Sequence, residues 1–191
     1  MDKNKEMKQG VLDSIKEWMN EYAYAENVCR LYHYYDKQCE TNTQATIIGL
    51  TARAIYENLI VSLAKFFNVR KNKENNEVLI ECEILEKCIK NTDTFSISED
   101  DKKILNNYIS LWNLEDYKCF ISNIKTRRDT KYAHKDKDKN ETVKNYSIWL
   151  ILSTLKNMLN DISKIFDVGY ILDERIVISG LETENGFLNI K

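Results

Sequence analysis

A chain of 191 residues and 22.5 kDa has the length of one ordinary domain. Hydrophobic residues at 43 % and charged ones at 30 % supply a core and exclude a disordered chain, while a net charge of −2 excludes a protein that is basic throughout. There is no proline and there are only five glycines, so helices can run long without the residue that most reliably breaks them.

Residues 11 to about 38 read as a first long helix, because Ile15, Trp18, Met19, Tyr22, Val28 and Leu31 recur three and four apart. Thr41 with Gln44 three positions on has the form of a capping box and predicts the start of a second helix, reaching about residue 69. Its stripe is Ile48, Ala52, Ile55, Leu59, Leu63 and Phe66. A polar break over 71–76 precedes a shorter helix over about 77–90, with Leu79, Cys82, Leu85 and Ile89 inward. Residues 91–97 read as a loop, and Ser98 with Asp101 as the cap of a helix running to about 112. A further helical stretch covers 114 to about 134, with Tyr117, Phe120, Ile121 and Ile124 on one side. After a charged loop at 136–140, a last long helix runs from about 142 to 166 through Ile148, Ile151, Leu155, Met158, Ile162 and Ile165.

Beyond Gly169 the pattern changes. Residues 175–179 and 187–190 are expected to pair as a β-hairpin across 180–186, lying on the bundle or on a partner because a lone hairpin is marginal in water. The expected fold is all-α: an antiparallel bundle of four main helices plus a short one. Residues 1–170 would form that bundle and 171–191 a C-terminal extension.

The first ten residues are almost wholly polar, and no uninterrupted apolar run approaches the roughly 20 residues that cross a bilayer. The expectation is a cytoplasmic protein with no membrane partner. Five cysteines, an odd number without Cys-x-x-Cys spacing, each sit in helical patterning and read as reduced thiols in or near the core. No phosphate-binding loop, dinucleotide glycine motif, zinc spacing or serine-nucleophile signature is present, so neither cofactor nor metal is expected.

Residues 125–139 read KTRRDTKYAHKDKDK: seven Lys and Arg against three Asp, a balance of +4 that leaves −6 on the rest of the chain. An anionic ligand would be drawn here, although a solvated helix end would carry the same charges. The residue types inside the run add chemistry. His134 is one of only two histidines, and imidazole is the side chain suited to moving protons near neutral pH. Arg128 offers a planar fork of donors for a phosphate, and Asp129 can orient either group. Lys131, Tyr132 and Lys135, together with Arg127, are the expected substrate contacts. These are the parts of a metal-free RNA cleavage in which the ribose 2′-hydroxyl attacks the adjacent phosphate. In a regular helix Arg127 and His134, seven apart, share a face, while Arg128 lies about a third of a turn away. Either Arg127 partners His134 or the helix loosens before it; the reading favours Arg128.

Arg128-Asp129-Thr130-Lys131-Tyr132-Ala133-His134, followed by Lys135 and Asp136, resembles the Arg-(four to six residues)-His motif of HEPN-domain proteins. The nearest branch is the abortive-infection one, whose motif often reads Arg-Asp-Lys-x-x-Ala-His-x-Asp. The resemblance implies a metal-independent endoribonuclease with RNA as its substrate. It also implies a homodimer whose two motifs face one cleft, and a role in phage defence or alongside an antitoxin. By position, Arg128 would hold the phosphate, Asp129 would be the motif's polar residue and His134 the proton-transfer group. Asp136 stands where another branch has a modifiable tyrosine, which puts inhibition by that route in doubt. One strong histidine per chain agrees with a site shared across a two-fold axis. The alternatives are a non-catalytic HEPN-like module that binds a protein or RNA, and a regulatory subunit or antitoxin.

His33, in the aromatic stretch Leu31-Tyr32-His33-Tyr34-Tyr35, reads as a packed structural histidine. The tyrosines (Tyr22, Tyr24, Tyr32, Tyr34, Tyr35) fit core and interface packing better than base stacking. Glu57 and Asn58 either line a polar cleft or form the outer face of the second helix.

Overall fold

A computed structural model describes residues 3–41, 45–71, 77–133, 145–172, 181–182 and 189–190. Helix α1 spans Lys3–Thr41 and α2 spans Ala45–Lys65; the two pack along one another as a long antiparallel pair. A hairpin follows, β1 (Phe67–Lys71) and β2 (Val78–Cys82), and then the short helix α3 (Glu83–Lys90). Helices α4 (Glu99–Trp112), α5 (Glu115–Ala133) and α6 (Asn145–Ile165) complete the bundle, so the fold is all-α apart from small two-stranded sheets.

The stripes expected from helical spacing face inward. Ile15, Met19 and Tyr22 of α1, Leu59 and Leu63 of α2, Ile121 and Ile124 of α5, and Ile151, Leu155 and Met158 of α6 are all buried in one core. Burying each such side chain stabilises the bundle by roughly 1.5–3 kcal/mol. Ser98 caps α4 as expected: its Oγ accepts from the Asp101 amide at 3.1 Å and donates to the Asp101 carboxylate at 2.6 Å. Helix α6 closes with the amide of Val168 on the Ser163 carbonyl and that of Asp167 on Lys164, with Asp167 in the left-handed region at φ 51°. Asn160 then grips Leu172, accepting from its amide at 2.8 Å and donating to its carbonyl at 3.3 Å.

Three expectations change. The second helix ends at Lys65, and the third does not begin at residue 77: residues 67–71 and 78–82 are antiparallel strands, Phe67 opposite Cys82 and Val69 opposite Ile80. Residues 78–82 carry Val, Ile and Cys on alternate positions, and Ile80 and Cys82 are buried while Leu79 is exposed, which is a period of two. The hairpin also has partners outside itself. Asn113, just past α4, donates to the Ile80 carbonyl at 3.1 Å and accepts from its amide at 3.0 Å. Lys125 Nζ donates to the Phe67 carbonyl at 3.0 Å. Such contacts cover strand edges that would otherwise stay open. Thr41 is the last residue of α1 and not the cap of α2, and Gln44 lies outside the described residues. Leu181–Glu182 pairs with Asn189–Ile190, so the first strand of the C-terminal hairpin falls in the span expected to turn; residues 175–179 lie outside the described residues.

Cys29, Cys82 and Cys88 are buried thiols, each pushed up to about 12, chiefly by burial. Cys82 ends a strand, not a helix; Cys39 is half-buried and Cys119 exposed. The stretch Thr46–Lys65 is long and apolar enough by composition to cross a membrane, and it packs on α1 and α5 within the bundle. Two of its side chains point outward as a stripe with Ala54, Ile47 at 69 % and Leu50 at 63 % exposure.

Candidate functional site

Helix α5 carries its apolar stripe as Tyr117, Ile121 and Ile124, spaced four and three apart. Three and four positions beyond Ile124 the helix turns basic, at Arg127 and Arg128. The two arginines then diverge. Arg127 reaches α2, where its Nη2 donates to the Glu57 carboxylate at 3.0 Å, with both side chains largely buried. Its guanidinium also lies 4.8 Å from the centre of the Tyr56 ring, a cation–π contact on a buried tyrosine. Arg128 stays with its neighbour: its Nε and Nη2 donate to the Asp129 carboxylate at 2.7 and 2.6 Å, on the more exposed side of the helix. Lys125, half-buried against β1, has its ammonium pushed down by burial first and then by the charge of Arg128.

This arrangement gives the two arginines different availabilities. Arg127 is held by a carboxylate and an aromatic face, whereas Arg128 is tied, among the described residues, to an exposed carboxylate on its own helix. A phosphate can replace that carboxylate without opening the core. The helix stays regular through Ala133, so no loosening precedes His134 among the described residues. Thr130 to Ala133 belong to the last turns of α5, but the side chains of Lys131 and Tyr132 lie outside the described residues, as do His134 and Lys135 entirely.

Beside Arg127 a cavity of about 350 Å³ opens between α1, α2 and the end of α5, with Tyr32, Asp36, Arg53 and Tyr56 among its walls. Sequence spacing singled out Glu57 and Tyr32 but not Asp36, Arg53 or Tyr56. The last two sit on the same face of α2 as Glu57's turn, and only the packing of three helices brings them to the motif. Asn58 turns to Tyr24, donating to its hydroxyl at 2.8 Å. His33 is structural: its Nε2 accepts from the Trp149 indole at 2.7 Å, and burial pushes its pKa down.

A larger cavity of about 850 Å³ lies between α1 and α6, with Glu26, Arg30, Trp149 and Lys156 in its wall and no α5 residue. Glu26 is buried there and paired with Arg30 at 2.7 Å. Its walls share no residue with the cavity beside Arg127, so it is a separate feature of the bundle.

The model of the AbiU2 HEPN family matches residues 8–172, from the second turn of α1 to the Leu172 clamp. No curated protein and no solved structure matches the chain. With 165 of 191 residues covered by one family model and an Arg-x5-His string that begins in α5, this chain belongs to the AbiU2 family of HEPN domains, a family associated with abortive infection.

Proposed function

We propose that the chain is a metal-independent endoribonuclease that acts as a homodimer, with Arg128, Asp129 and His134 as its chemical groups. The observation that carries this reading is the division of labour at the end of α5: Arg127 is locked to Glu57 and Tyr56, and Arg128 is left beside an exposed carboxylate. Arg128 binds the scissile phosphate in place of Asp129 and stabilises the charge that builds on its oxygens. His134 takes the proton of the ribose 2′-hydroxyl or delivers one to the departing 5′-oxygen. The O2′–P bond forms as the P–O5′ bond breaks, leaving a 2′,3′-cyclic phosphate and a 5′-hydroxyl. A second copy supplies the other proton-transfer group across a two-fold axis, through the exposed Ile47, Leu50 and Ala54 side of α2. Lys131, Tyr132 and Lys135 contact the RNA strand. Such an activity, released on infection or held in check by an antitoxin, suits the family's association with abortive infection.

The test is purified protein on total RNA in a chelator, wild type beside Arg128→Ala and His134→Ala. Wild type should cut, and each variant should be slower by roughly 10²-fold or more. A verified mixed dimer of wild-type and His134→Ala chains, which keeps one of the two histidines, should be as slow as the His134→Ala protein; half of wild-type activity there would refute a site that needs both copies. Intact RNA with wild type, together with harmless expression in cells, would leave a non-catalytic binding module as the better account.

A further inference from the structure

The cavity beside Arg127 has a chemistry of its own. Its volume, about 350 Å³, is at the small end of ligand sites, room for one flat heterocycle and not for a stacked strand. Tyr32 and Arg53 contribute flat surfaces, one aromatic and one guanidinium, of the kind on which unstacked RNA bases lie. Asp36 contributes a half-buried carboxylate, which only accepts hydrogen bonds. Gly49 keeps the wall open: among the described residues, a methyl there would meet nothing nearer than the Cys39 sulfur at 3.9 Å. Arg127 lines the cavity and is the chain neighbour of Arg128, the proposed phosphate contact.

We propose that this cavity receives one unstacked base of the RNA strand and selects guanine. The inference rests on the RNA-cleaving reading above. Guanine is the base whose pairing edge offers two adjacent donors, N1–H and the N2 amino group, to the two oxygens of a carboxylate. Adenine and cytosine set a ring acceptor beside their amino group, which faces a carboxylate lone pair against lone pair. Uracil has one N–H between two carbonyls. A site that hydrogen-bonds an edge in this way rejects bases lacking the donors, because its own polar group is then left unpaired.

The experiment uses the full chain and short RNAs, uridine throughout except for one guanosine, inosine or adenosine. Inosine keeps N1–H and lacks only the N2 amino group. Wild type should cut beside guanosine, about 10-fold slower beside inosine, and slower still beside adenosine. Asp36→Asn should slow guanosine-directed cutting and flatten the preference. Gly49→Leu, which fills the space with a better helix former and replaces no charged residue, should do the same. Equal rates at guanosine and adenosine in wild type, or an unchanged preference in both variants, would overturn the assignment. The same RNAs with 2′-O-methyl groups, which cannot be cut, are titrated by fluorescence anisotropy. Guanosine-selective binding that Asp36→Asn abolishes upholds the cavity even if no RNA is cleaved. Cleavage without any base preference upholds the nuclease and removes the cavity. Neither selective binding nor cleavage removes both.

Discussion

Arg127 and Arg128 are adjacent in the chain and answer to different parts of it. Arg127 is matched to Glu57, 70 positions earlier, and rests over Tyr56, so removing it takes this ion pair and its cation–π contact from two largely buried side chains. Arg127→Ala should therefore cost about 3 kcal/mol of stability in urea unfolding. Removing Glu57 as well should cost less than the two single losses added. Arg128→Ala should change stability by less than about 0.5 kcal/mol, since its partner is exposed and on the same helix, yet it should remove RNA cleavage. Equal destabilisation by the two alanine variants would refute this division. Helical spacing alone left both arginines open as the partner of His134. The residue that separates them, Glu57, belongs to another helix, and no local pattern in α5 points to it.

Elements are joined in this bundle by a few polar contacts of long sequence reach. The contact between α1 and α6 made by His33 and Trp149 spans 116 positions and has a titratable end. Trp149 donates to Nε2, which must therefore carry no proton, and burial already holds this histidine below its ordinary 6.5, with Asp36 opposing and Lys37 assisting. The folded form thus favours neutral His33. Its contribution is present in full above pH 6.5 and is lost as the pH falls below that value. His33→Gln keeps an acceptor and does not titrate. Urea midpoints from pH 8 to 5 should show wild type losing its advantage over the glutamine variant as acid is added; parallel curves would rule the linkage out. The hairpin shows the opposite side of legibility. Leu79, Cys82, Leu85 and Ile89 fit a helical stripe on paper, and Val78, Ile80 and Cys82 fit a strand equally well. What decides between them is the presence of β1 alongside and of the Asn113 amide at the edge, neither of which is local to the segment.

For the molecule as a whole, the absence of proline and the run of apolar stripes made an all-α bundle readable from the start. The Ser98 cap and the inward face of α6 were equally plain, because they depend on neighbours within one or two turns. A surface left uncovered is not readable in that way, since exposure depends on every other element. On α2 it leaves Ile47, Leu50 and Ala54 facing out, and an isologous dimer built there would bury each of them twice. Leu50→Glu should turn a sedimenting dimer into a monomer of unchanged helical content and abolish RNA cutting with it. A variant that still sediments as a dimer would send the interface elsewhere.

The distribution of sulfur through the bundle makes the protein its own reporter. Cys29, Cys82 and Cys88 are buried with their thiols held near 12, so alkylating reagents at neutral pH should pass them by. Cys119 is exposed on α5, and Cys39 is half-buried in the wall of the cavity beside Arg127. A maleimide footprint therefore has one accessible reference and one position that a bound base would shade. Occupancy of the cavity becomes measurable by mass, in the native chain, without adding a label site.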